Sequence, residues 1–202
     1  QRKYDAAISL LNKAQGLQAS SVVAVRIHQL QMAAKRPAEA EAGLQQWLSA
    51  HPNDLASRLA LAESLMARKQ NKAAIAQYEI VQKTQPDNVL ILNNLAALYQ
   101  QEKDPRALAS AERAYKLKPE VASIADTLGW ILVEQGQAAR AVELLRKAAA
   151  DAPKNGEIGY HYAVALSKNG DKAGARKQLE AILSNGQAFP QQEQAKALLK
   201  QL

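Results

Sequence analysis

Four prolines, Pro52, Pro86, Pro119 and Pro153, punctuate the chain at intervals of 34, 33 and 34 residues, and this period restricts the fold more than any other feature. A period of that length means that one short supersecondary unit is stacked several times, in place of one enlarging core. The unit is clearest in ASIADTLGWILVEQGQAARAVELLRKAAADAP, residues 122 to 153. Leu128, Gly129 and Leu132 mark a first helix, Ala141, Leu145 and Ala148 a second, and Pro153 the stop. Gly129 and Ala141 carry almost no side chain, so two antiparallel helices can approach closely where they cross, while the leucines fill the space on either side.

The same fixed points run along the chain. In residues 1–19, Tyr4, Ala7, Leu11 and Ala14 occupy second-helix places, which predicts the second helix of a truncated repeat and a natural protein that continues upstream. Repeats follow over 21–54, 55–87, 88–121, 122–155 and 156–188. In the first of these Ala40, Leu44 and Trp47 fit the second helix, but His28 stands where Gly129 stands and reads as a structural irregularity. In the third, the inter-helix turn at Lys103, Asp104 and Pro105 is one residue shorter than the others. In the last, Gly170 takes the place of Gly136, where a positive φ stops a helix. Residues 190–202 bear one apolar stripe of Ala195, Leu198, Leu199 and Leu202, and are expected to cap the last repeat.

The composition agrees with helices alone. The chain is 48% hydrophobic but only 4% aromatic, and too poor in β-branched residues to supply a sheet. It has no cysteine and three widely spaced histidines, so neither a disulfide framework nor a metal site is expected, and no cofactor. The net charge of +7 is spread over the helices without a block of like charge. The densest basic group, Lys168, Lys172, Arg176 and Lys177, straddles a turn and lacks the interleaved aromatics that stack on bases, so nucleic acid is not an expected partner. No apolar run is long enough for a transmembrane segment, and no signal peptide opens the chain. No phosphate loop, metal-ligand spacing or nucleophile elbow is present, so an enzyme is not expected.

The spacing of Leu128, Gly129, Leu132, Ala141, Leu145, Ala148 and Pro153 resembles the tetratricopeptide repeat. That resemblance implies an all-α, TPR-type α-solenoid over residues 1–202, a right-handed superhelix of antiparallel helix pairs with a C-terminal capping helix. It also implies a concave groove lined by first helices that binds a protein or peptide. Laid on this chain, the family's groove offsets select Val25, Gln29 and Met32; Leu59, Glu63 and Met66; Asn93, Ala97 and Gln100; Asp126, Trp130 and Val133; and Tyr160, Val164 and Ser167. Asn93, Asp126, Trp130, Tyr160 and the adjacent His161 form the candidate partner-binding set, with one flat apolar wall and several hydrogen-bonding groups. The alternatives are that Trp130 packs as core between adjacent first helices and that His161 only satisfies a neighbouring carbonyl. The clamp by which some members of the family hold a chaperone's C-terminal carboxylate is not matched, because Glu63 and Asp126 stand where positive charge is wanted.

A narrower likeness rests on DTLGWILVEQG, AVELLRKAAADAP, EIGYHYAVALSKNGDKAGARKQLEAIL and FPQQEQAKALLKQL. These segments resemble the C-terminal end of the TPR-repeat lipoproteins of the bacterial PEP-CTERM/exosortase system. The resemblance implies a scaffold that is periplasmic or anchored at the outer membrane, with partners in exopolysaccharide export or protein sorting. A structural array that self-associates into a homo-oligomer, and a polysaccharide-binding module along Trp130 and Tyr160, are the alternatives.

Overall fold

A computed structural model describes residues 2–202, and these form twelve helices with no strand among the described residues. The chain divides into two compact units, one ending at Pro86 and the other comprising Asp87–Leu202. No helix is long and apolar enough to cross a membrane among the described residues.

The first unit holds α1 (Arg2–Leu17), α2 (Ser21–Ala33), α3 (Pro37–Ala50), α4 (Leu55–Ala67) and α5 (Asn71–Thr84). Its core contains Ala40, Leu44, Leu61, Ala62, Ala74 and Tyr78. Glu41 is buried on α3 and bonded to Arg68 Nη1 at 2.6 Å, which ties α3 to the end of α4.

The second unit holds α6 (Val89–Gln101), α7 (Arg106–Leu117), α8 (Ala122–Glu134), α9 (Ala138–Asp151), α10 (Gly156–Lys168), α11 (Lys172–Ser184) and α12 (Gln192–Gln201). Gly129 abuts Leu145 so tightly that an added Cβ would lie 2.5 Å from Leu145 Cγ, so the close crossing needs a glycine. The stripe on α12 closes the end of this unit: Ala195 is fully buried with Ala163, Leu179 and Ile182, and Leu198, Leu199 and Leu202 pack against them.

Three of the four proline stops also lead into a capped start of the next helix. Two residues after Pro52, Pro86 and Pro153 come Asp54, Asn88 and Asn155, whose side chains accept backbone N–H bonds from the first turns of α4, α6 and α10. Two residues after Pro119 comes Val121, and α8 has no side-chain cap. The short turn before α7 is absorbed locally: Ala107 N–H bonds to Asp104 O, three residues back, where Ala141 N–H reaches four back to Gln137 O. Gly136 and Gly170 take positive φ as the sequence suggests, and Lys35, Lys69 and Lys103 take it at the corresponding turns without being glycine.

Candidate functional site

Three helices of the second unit bring the candidate residues together. Asn88 caps α6, which carries Asn93; α8 carries Asp126 and Trp130; and Asn155 caps α10, which carries Tyr160 and His161. Asp126 and His161 are one repeat plus one residue apart, so α8 and α10 set them face to face. His161 Nδ1 lies 2.9 and 3.1 Å from the two Asp126 carboxylate oxygens, and both side chains are almost fully buried. The contact holds the imidazole with Nδ1 toward the carboxylate and leaves Nε2 for another partner. His161 thus satisfies a carboxylate and not the carbonyl that was its alternative.

Trp130 stacks on the His161 ring, with centroids 4.3 Å apart and planes 21° from parallel. It is half-buried and lines a cleft of about 640 Å³ together with Asn93, Asp126 and His161. Both alternatives for Trp130 are therefore partly realised, since one face packs and the remainder borders the cleft. Ala97 and Gln100 border it too.

Tyr160 stands apart. Its ring is 6.5 Å from Trp130, but it packs against the Ala163, Leu179, Ile182 and Ala195 cluster, and burial raises its phenol pKa. Val133, at a groove offset, is fully buried, which corrects that assignment: it joins Ile131 and Leu132 in the core, and Glu134 after it borders the cleft instead.

Sequence reasoning missed the floor of the cleft. Gln191 donates from Nε2 to Glu157 Oε1 at 2.7 Å, and both residues line the cleft with Asn155. Gly156 was the available signal. An added Cβ there would lie 2.4 Å from Phe189 Cδ1, so the glycine admits Phe189 and brings the segment before α12 onto the start of α10. Two side-chain oxygens bordering the cleft, Asn93 Oδ1 and Gln191 Oε1, are buried without a partner among the described residues. With the carboxylates of Asp126, Glu134 and Glu157 against one Lys103, the lining is rich in acceptors. It suits a ligand that brings N–H or O–H donors and a flat or apolar face for Trp130.

Sequence profiles of the tetratricopeptide repeat match residues 26–89 and 59–122, and a second form matches residues 132–202. The chain belongs to the tetratricopeptide repeat family. A TPR repeat-containing protein of Pseudomonas aeruginosa is 28% identical over 166 residues, a match covering 79% of this chain. The chain spans 28% of that relative's length. Solved structures share the fold, among them two described as tetratricopeptide repeat proteins. One from Parabacteroides merdae superposes with a TM-score of 0.82 at 13% identity, covering 98% of this chain and 79% of its own. YrrB, described as a TPR protein with an unusual peptide-binding site, gives 0.73 at 15% identity, covering 95% of this chain and 98% of its own. PilW, a type IV pilus biogenesis factor, gives 0.75 at 19% identity, covering 90% and 88%.

Proposed function

We propose that this TPR protein is a non-catalytic scaffold whose second unit binds an extended peptide, or an exposed segment of a partner protein, in the cleft walled by Trp130 and His161. One observation carries the reading: Asn93, Asp126, Trp130 and His161 converge on one cleft where two buried amide oxygens, Asn93 Oδ1 and Gln191 Oε1, lack protein partners. A peptide supplies backbone N–H donors at regular intervals and side chains that can lie on an indole face, which answers both features. The peptide-binding site ascribed to YrrB supports the same use of this fold. The likeness of the last two repeats to PEP-CTERM/exosortase lipoproteins supports a place at the bacterial cell envelope, periplasmic or outer-membrane-anchored, with partners in exopolysaccharide export or protein sorting.

The test is affinity capture from envelope fractions with the wild-type chain and with Trp130→Ala and Asn93→Ala, each checked for unchanged helicity. The expected result is that one set of proteins is enriched by the wild type and lost at least about tenfold by both variants, in keeping with the cost of removing interface anchors. Equal capture by all three would remove the cleft as the binding site. A second reading, self-association, is favoured by exposed apolar residues in the first unit, Leu10, Leu17 and Val22, at 67, 90 and 76% exposure. Sedimentation of Leu17→Glu beside the wild type separates the two readings, because only a self-associating array should become smaller.

A further inference from the structure

The first unit contains a second cavity, chemically unlike the first. It has a volume of about 460 Å³, within the range of roughly 300–1,000 Å³ usual for small-ligand sites, and lies among α1, α2 and α3. Its origin is legible in the register. The place held by Ala62, Ala96, Gly129 and Ala163 in the other repeats is held here by His28, and the place held by Gln77, Ser110, Leu144 and Gln178 is held by Gly43. A large residue thus replaces a small one on the first helix, and glycine replaces a larger one on the second. An added Cβ on Gly43 would meet nothing closer than Gln31 Oε1 at 3.8 Å, so that side of the cavity is open.

Four polar atoms in it are buried without a partner among the described residues. His28 is only 7% exposed, yet Nδ1 and Nε2 are both buried with no partner among the described residues. Gln15 Nε2 and Gln31 Oε1 are buried and unpartnered in the same cavity. Gln15 is oriented by its own carbonyl, which accepts the Ser20 backbone N–H at 3.3 Å, so its NH₂ is the end left free. Leaving such groups unsatisfied costs about 1–3 kcal/mol each, which makes an occupant with matching hydrogen bonds favourable. Burial lowers the His28 pKa, so the ring is neutral at pH 7 and offers one donor and one acceptor. The cavity therefore presents donors from Gln15 and His28 and acceptors from His28 and Gln31, with no formally charged side chain in its lining. Ile27, Leu44 and Trp47 provide apolar walls.

We propose that this cavity is a binding site for a neutral carboxamide group on a short apolar stem, because a planar C(=O)NH₂ supplies one acceptor and two donors to groups that otherwise go unpaired. A carboxylate would bring charge where no cation faces it, and a hydrocarbon would leave the four orphaned atoms unsatisfied. The group can come from a free small amide or from a glutamine side chain of a partner.

The experiment is ¹⁵N NMR of the imidazole rings in the full chain, with His28 assigned by His28→Ala, titrated with propionamide, with sodium propionate and with N-acetylglutamine amide. Saturable shifts of the His28 nitrogens with propionamide, and none with propionate, are expected. Binding of the glutamine derivative at least about tenfold tighter than propionamide assigns the site to a partner's side chain, and equal or weaker binding assigns it to a free amide. Gly43→Leu, which fills the open side next to Gln31 and leaves Gln15, His28 and Gln31 themselves in place, is expected to abolish the saturable shift while far-UV circular dichroism is unchanged. Failure of propionamide to move the His28 nitrogens, an equal response to propionate, or undiminished binding by a folded Gly43→Leu would each overturn the proposal.

Discussion

At the crossing of α8 and α9, Gly129 lies so close to Leu145 that no side chain can be added, whereas in the α2 and α3 pair the same register position carries an imidazole beside an open cavity. Both pairs follow one period and one set of fixed points. One forms a closed joint and the other an open one, and the difference resides in His28 for Gly129, Gly43 for Leu144 and Trp47 for Ala148. A repeat can therefore vary the interior of a joint without losing its place in the stack, provided that gains and losses of volume fall on facing helices.

The strongest way to break this comparison is to move the open joint's residue into the closed one. Gly129→His is expected to cost about 3 kcal/mol or more, the sum of overpacking against Leu145 and burial of an imidazole without partners. Thermal unfolding of the second unit reports it, and a melting temperature equal to the wild type would refute the shared register. Ala141→Leu, at the other small position of the same crossing, is expected to cost about 1–3 kcal/mol. The best comparison is Ala150→Leu on the exposed side of α9, which should change stability by no more than about 0.5 kcal/mol. Ala149 is a poorer control, since it is half-buried against the Ala125, Ala148 and Ile158 cluster.

The open joint has its own anchor. Trp47 Nε1 donates to Asp54 Oδ2 at 2.6 Å, and the same carboxylate caps α4 by accepting from Ala56 N and Ser57 N. Asp54→Ala is expected to cost about 1–2 kcal/mol in chemical denaturation, at the upper end for an N-cap because the indole N–H loses its partner too. A cost no greater than a few tenths would show that Trp47 is held by packing alone.

The smallest effect is expected at His28 itself. His28→Ala exchanges unpartnered ring nitrogens for a larger cavity, two terms of similar size and opposite sign, so stability at pH 7.5 should stay within about 1 kcal/mol. Its signature is in the pH dependence. Burial lowers the folded-state pKa of His28 from the ordinary 6.5, with the Glu41 carboxylate acting in the opposite direction. The unfolded chain thus takes up this proton first as pH falls, so the contribution is complete above about pH 6.5 and is lost below it, toward the lowered folded value. The variant should lose less stability than the wild type between pH 7 and 5; parallel curves would contradict a buried neutral imidazole.

Much of the candidate site was legible because groove positions repeat with the period. Asn93, Asp126 and Trp130 follow from offset alone, and His161 adjoins an offset position. The rest was not, for reasons that lie in three-dimensional packing. Tyr160 has the same offset as Asp126, but its repeat is the last, and the cluster with α12 draws its ring into the core. Gln191 belongs to no repeat and reaches the cleft only because Phe189 seats on Gly156.

By itself the sequence determined the helices, their order and their close crossings, because small and large apolar residues at a fixed period leave two antiparallel helices few other ways to pack. Only the tertiary structure decided which polar groups meet and which remain unpaired. The Asp126 to His161 contact and the four orphaned atoms around His28 depend on side chains from different helices approaching within hydrogen-bonding distance, and a linear period carries no information at that scale.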